Sequence, residues 1–149
     1  MKLTKNNILM VIADSLKIGV EEVKIETSLT DDICIDSIEI VKLSADIEIN
    51  FGIEIKVDDL KECDTAKAIF AFLIKEELKN IIASSFLVDK DKLSCENQLS
   101  DQGFIDSKNI FQLLIDIEKH FDIIIGEYIE FDDFSTINNI TSYIINRNE

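Results

Sequence analysis

The sequence predicts an all-α protein built as two four-helix bundles in tandem, and three observations predict it. The chain has no proline and only four glycines in 149 residues, so it has few obligatory turns and helices are its natural use. Its apolar residues recur at spacings of three and four, which lays a one-sided apolar stripe along a helix. Finally, the chain repeats itself. Laying residues 11–55 on residues 81–125, a shift of 70 without gaps, sets Leu29 on Leu99, Asp31 on Asp101, Ile35 on Ile105 and Asp36-Ser37 on Asp106-Ser107. The matches continue through Leu43/Leu113, Asp46/Asp116, Ile47/Ile117, Glu48/Glu118 and Phe51/Phe121. A period this long marks a duplicated domain and not a solenoid. The expected domains are 1–74 and 75–149.

Each copy reads as four helical segments. The first spans about Lys5–Ile18, with Ile8, Val11, Ile12 and Leu16 on one stripe, matched by Leu78, Ile81, Ile82 and Phe86. A long polar loop follows, ending at Ile35 or Ile105. The second helix begins at the Asp-Ser pair and carries Ile40, Leu43, Ile47 and Phe51, matched by Ile110, Leu113, Ile117 and Phe121. A short third turn is expected near Asp58–Leu60 and near Tyr128–Asp132. The fourth helix starts at Asp64-Thr65 or Ser135-Thr136, because one extra residue in the second copy brings Thr136 opposite Thr65. No glycine or proline interrupts residues 64–86, and good helix formers cross the junction. One continuous helix from about Thr65 to about Phe86 is therefore expected to join the copies.

Composition narrows the function. Thirty acids against 15 bases give a formal net charge of −15, shared almost equally by the two copies. That field repels nucleic acid and anionic membrane surfaces and suits protein partners with basic patches, or it serves solubility alone. The apolar run Ile8–Ala13 is too short for a signal-peptide core, and no stretch approaches membrane-spanning length. Cys34, Cys63 and Cys95 are an odd number without metal-ligand spacing, so a reducing cytoplasm and no metal are expected; the chain is also expected to be a monomer. A calcium loop at Asp89-Lys-Asp91 fails, since Ser94 and Ser100 stand where the turn glycine and bidentate glutamate belong.

Within the repeat, the nucleophile that keeps its immediate context is the serine of Ile35-Asp36-Ser37 and Ile105-Asp106-Ser107. Asp and Ser both favour helix starts, and Asp36 with Glu39 has capping-box spacing, so a purely structural role is one explanation. Modification is the other. Asp32-Ile-Cys-Ile-Asp-Ser-Ile-Glu-Ile-Val-Lys-Leu43 resembles the phosphopantetheine attachment site of acyl carrier proteins. Gln102-Gly-Phe-Ile-Asp-Ser-Lys-Asn-Ile-Phe-Gln-Leu-Leu114 resembles the same site in a Gly-x-Ile-Asp-Ser variant. That variant, with Phe131-Asp-Asp-Phe-Ser-Thr-Ile137, is similar to D-alanyl and other aminoacyl carriers. The resemblance runs over nearly the whole chain, twice.

The resemblance implies a pair of acyl-carrier-like bundles without catalysis of their own. The sole histidine, His120, lies well along a helix and completes no Ser-His-Asp or Cys-His set. It implies that a phosphopantetheinyl transferase moves a 4′-phosphopantetheine arm from coenzyme A onto Ser37 and Ser107, with Asp36 and Asp106 helping to engage the transferase. The further partners it implies are acyl- or aminoacyl-activating ligases and thioester-processing enzymes of a fatty-acid, polyketide or related pathway. The alternative is a carrier-like interaction module that is never modified. Two residues depart from the family pattern. Cys34 stands where glycine is usual, and Lys108 replaces the apolar residue that Ile38 supplies in the first copy.

A second apolar stripe, Ile38, Val41 and Ala45, with Phe111 and Ile115 opposite, is either extra core or a partner surface. In the partner reading it is joined by the acids Glu39, Glu48 and Glu118, whose charges favour fast and selective docking.

Overall fold

A computed structural model describes residues 2–87, 89–94, 109–125 and 136–147. These residues form six α-helices and two short 3₁₀ turns, with a single bridge between Ser28 and Thr65 as their only β pairing. The chain divides into two compact units, Met1–Leu73 and Ile74–Glu149.

In the first unit, α1 (Lys5–Leu16) starts on Thr4, whose Oγ1 accepts a hydrogen bond from Asn7 N at 3.2 Å. The helix stops two residues before Ile18. Lys17 turns left-handed at φ 56°, and Ile18 N closes the end on Ala13 O at 3.0 Å. Its expected stripe is buried throughout: Ile8 and Ile12 completely, Val11 and Leu16 nearly so. The 3₁₀ turn Val20–Glu22 leads into the long loop, which is tied down and not loose. Val23 and Leu29 enter the core, Leu29 N donates to Asp64 O at 2.7 Å and Lys67 N to Ile25 O at 2.7 Å.

Helix α2 (Ser37–Phe51) ends at Gly52, whose φ of 70° is the left-handed conformation glycine adopts without a Cβ penalty. Ile40, Leu43 and Ile47 face inward as the spacing predicts, while Phe51 is half-buried. Full burial of such side chains is worth about 1.5–3 kcal/mol each. The expected third turn is a short helix, α3 (Val57–Glu62), held by fully buried Leu60. Helix α4 runs Ala66–Phe86 without interruption, after Thr65 Oγ1 accepts from Ala68 N at 3.1 Å.

In the second unit, the later part of α4 buries Leu78, Ile81 and Ile82 and leaves Phe86 half-exposed. A 3₁₀ turn follows at Lys90–Lys92, then α5 (Asn109–Phe121) and α6 (Ile137–Arg147). Leu113, Ile117 and Phe121 on α5, with Ile137, Ile140 and Ile144 on α6, are fully buried and form the core. Thr136 begins α6 by accepting from Asn139 N at 3.0 Å. Ser85 Oγ donates to Asp116 Oδ2 at 2.9 Å, and His120 Nδ1 lies 3.4 Å from Glu77 Oε1. The expected turn at Tyr128–Asp132, Ser135 and the side chain of Ile110 lie outside the described residues.

No helix among the described residues is long and apolar enough to cross a membrane.

Candidate functional site

Ser37 is the first residue of α2 and its side chain is exposed. The preceding residues dictate that position. Asp36 is extended (φ −95°, ψ 176°) and accepts from Glu39 N through Oδ1 at 2.7 Å. Glu39 answers by accepting from Asp36 N through Oε1 at 3.2 Å, so the expected capping box is formed. The cap holds the start of α2 in place and leaves the Ser37 hydroxyl outside it. A phosphate on that hydroxyl would sit at the positive end of the 15-residue helix.

Beside Ser37 opens a cavity of about 240 Å³. Its walls are apolar, from Leu29 and Ile35 of the loop, Ile40 of α2 and Leu60 of α3, and its exposed members are Thr30, Asp36, Ser37 and Lys61. The volume lies below the roughly 300–1,000 Å³ of drug-sized pockets and suits a narrow aliphatic chain.

The loop wall of this cavity hangs on Asp64. Its Oδ2 accepts from Ser28 Oγ at 2.6 Å, and its Oδ1 accepts from Thr30 Oγ1 at 2.7 Å and from Thr30 N at 3.3 Å. Those bonds, that from Ser28 above all, hold the carboxyl below its ordinary pKa, with slight burial opposing them. From sequence, Asp64 marks only a helix start. Its partners lie 34 and 36 residues away in a polar loop, and no local spacing points to them. The cavity was missed for the same reason, since it exists only once loop, α2 and α3 are assembled.

Cys34 has a φ of 60° and is exposed. The left-handed conformation is the one glycine adopts without a Cβ penalty, so Cys34 is a strained occupant of that position.

The second stripe is not core. Ile38 is 79% exposed, Val41 55%, Phe111 65% and Ile115 46%, which removes the extra-core explanation. Ala45 is exposed as well, and Ile49, three turns after Ile38, prolongs the stripe although the sequence reading passed over it. Among the acids, Glu48 is exposed. Glu39 Oε1 accepts in the capping box and Glu118 Oε1 accepts from Ile125 N at 2.9 Å, so each also serves local structure. Asp106, Ser107 and Lys108 lie outside the described residues.

Comparison with known proteins follows the geometry. The family model described as "Phosphopantetheine attachment site" matches residues 6–73 and again 76–144. An acyl carrier protein of Chlorobium phaeobacteroides is 31% identical over 74 residues, covering 50% of this chain and 94% of the relative. One from Petrotoga mobilis is 35% identical over 57 residues, covering 38% of this chain and 67% of the relative. The solution structure of the apo doublet acyl carrier protein from prodigiosin biosynthesis aligns at 14% identity and a TM-score of 0.42, covering 96% of this chain and 80% of that one. The chain belongs to the phosphopantetheine-attachment family twice over, as a tandem carrier protein that uses covalent 4′-phosphopantetheine and is not itself an enzyme.

Proposed function

We propose that the arm is attached at Ser37 and Ser107, one per domain with the boundary at 74/75, and that the first domain carries acyl cargo of a fatty-acid or polyketide pathway. One observation carries this reading: an exposed serine at the start of α2 adjoins a cavity with aliphatic walls. When bound, the arm supplies a thiol on which acyl groups ride as thioesters. The chain's own residues do the rest. Asp36 holds the helix start and presents its exposed edge to the transferase, and Leu29, Ile35, Ile40 and Leu60 exclude water from the apolar part of the cargo. In the second domain Asp106 helps to engage the transferase. Ile38, Val41 and Glu48 in the first domain, and separately Phe111 and Ile115 in the second, are the surfaces read by the transferase, the acyl-activating ligase and the processing enzymes. The duplication raises the local concentration of arms near one client without adding any contact.

The test is intact mass after incubation with coenzyme A and a broad-specificity transferase. Two additions are expected, the one on Ser37 arriving first because Ile38 completes its motif. Ser37→Ala leaves one addition and the double alanine variant none. Continued modification of the double variant would sink the assignment.

A further inference from the structure

Three charged residues line the cavity beside Ser37, and two are already engaged. Asp36 Oδ1 is held by Glu39 N, and both oxygens of Asp64 are held by Ser28 and Thr30. The third, Lys61, lies in the last turn of α3, is exposed, and is the only cation of the lining. Among the described residues it has no ion pair. A flexible four-carbon stem thus carries an uncommitted point charge on the cavity that Ser37 shares.

We propose that Lys61 is a positioning residue for the arm: its ammonium pairs with the phosphodiester on Ser37 and holds the first stretch of the arm over the cavity mouth. This rests on attachment at Ser37. The charges favour it, because a phosphodiester there would otherwise face Asp36 and Asp64 in a chain of net charge −15. An ion pair at an exposed site is weak and screened by salt, so Lys61 biases the arm toward the cavity and does not lock it. Client enzymes with basic patches can then take the phosphate from Lys61 as they dock, which couples docking to release of the arm.

The experiment uses the full chain carrying Ser107→Ala, so that a single phosphorus is observed. Intact mass first establishes one addition, absent when Ser37→Ala is added. If Ser37 takes no arm, the attachment reading and this proposal fall together. With the arm in place, the phosphorus-31 resonance is expected to move in Lys61→Ala toward the position that the parent reaches at high salt, and to stay near the parent's in Lys61→Arg. On the parent itself, the Lys61 Cε resonance should differ between the loaded chain and the chain before loading. A phosphorus resonance indifferent to Lys61→Ala at low salt, or a Lys61 Cε resonance indifferent to loading, overturns the proposal and leaves attachment at Ser37 standing.

Discussion

Set side by side, the described residues of the two units keep the same backbone turns at positions where the residues differ. Lys17 and Leu87, 70 positions apart, both end a helix in the left-handed conformation, at φ 56° and 53°. The 3₁₀ turns Val20–Glu22 and Lys90–Lys92 keep the same shift, and Gly52 at φ 70° has its counterpart in Asp122 at φ 54°. Leu43 and Ile47, like Leu113 and Ile117, are completely buried. The differences fall at both a buried and an exposed position. Ser44 donates from Oγ to Ile55 O at 2.6 Å, while its counterpart Leu114 is an apolar core member. Ile49 is an exposed apolar residue where the second copy has Lys119. The comparison teaches that position in the repeat dictates conformation, even where the residue occupying it fits that conformation poorly.

Breaking the shared core should give the largest effect. Leu43→Ala and Leu113→Ala each empty a completely buried site, at about 2–5 kcal/mol. A small domain has little stability to lose. Urea unfolding followed by amide signals of the unit that holds the change should show comparable losses for the two variants. A twofold disagreement would mean that the two cores are not packed alike.

The left-handed positions sharpen the comparison at about 1 kcal/mol. Leu87 is 92% exposed, so Leu87→Gly forfeits no burial and relieves the Cβ penalty of its positive φ. It should stabilise by about 1 kcal/mol, whereas Gly52→Ala should destabilise by a similar amount. Thermal unfolding with both variants decides it, and a destabilising Leu87→Gly would refute the claim that position outranks residue here.

The loop anchor has a pH signature. Asp64 has a lowered pKa in the folded chain, so its contribution is fully present above the ordinary carboxylate range and is lost as pH falls through the lowered value. Amide signals of Ser28 and Thr30 should move together over that acid range. Asp64→Asn should abolish the step, and its persistence in that variant would assign it to another group.

Much of this was legible beforehand, for identifiable reasons. Core positions such as Ile8, Ile12, Leu43 and Ile47 follow from helical spacing, because one-sided burial leaves a period in the chain. The capping box at Asp36 and Glu39 is a local spacing and was readable as one. The ends were harder. Helix α1 stops at Leu16 because Lys17 turns left-handed, and lysine carries no signal for that conformation. The anchoring of Ser28 and Thr30 on Asp64, and the cavity that includes Lys61, are pairings across loop and helices, which periodicity within one segment cannot encode. The exposed stripe on α2 was visible as residues, but whether it faced core or water depended on what the other helices left uncovered.

That stripe supplies the smallest expected change in stability and the sharpest contrast with the core. Val41 is on α2 beside Leu43, yet it is 55% exposed where Leu43 is completely buried. Truncating an exposed side chain typically changes stability by no more than about 0.5 kcal/mol. Val41→Ala should therefore leave the urea midpoint nearly unmoved, and on the proposed reading of the stripe as a docking surface it should slow loading by the transferase. Phe111→Ala, at 65% exposure the counterpart on α5, should behave alike on the second copy. Each variant needs both readings, unfolding and the rate of arm addition by mass. If Val41→Ala destabilises as much as Leu43→Ala, the residue belongs to the core after all. If it alters neither stability nor rate, the exposed stripe is not read by the transferase. A slower rate at unchanged stability is the result that separates an α2 face kept for partners from one kept for the fold.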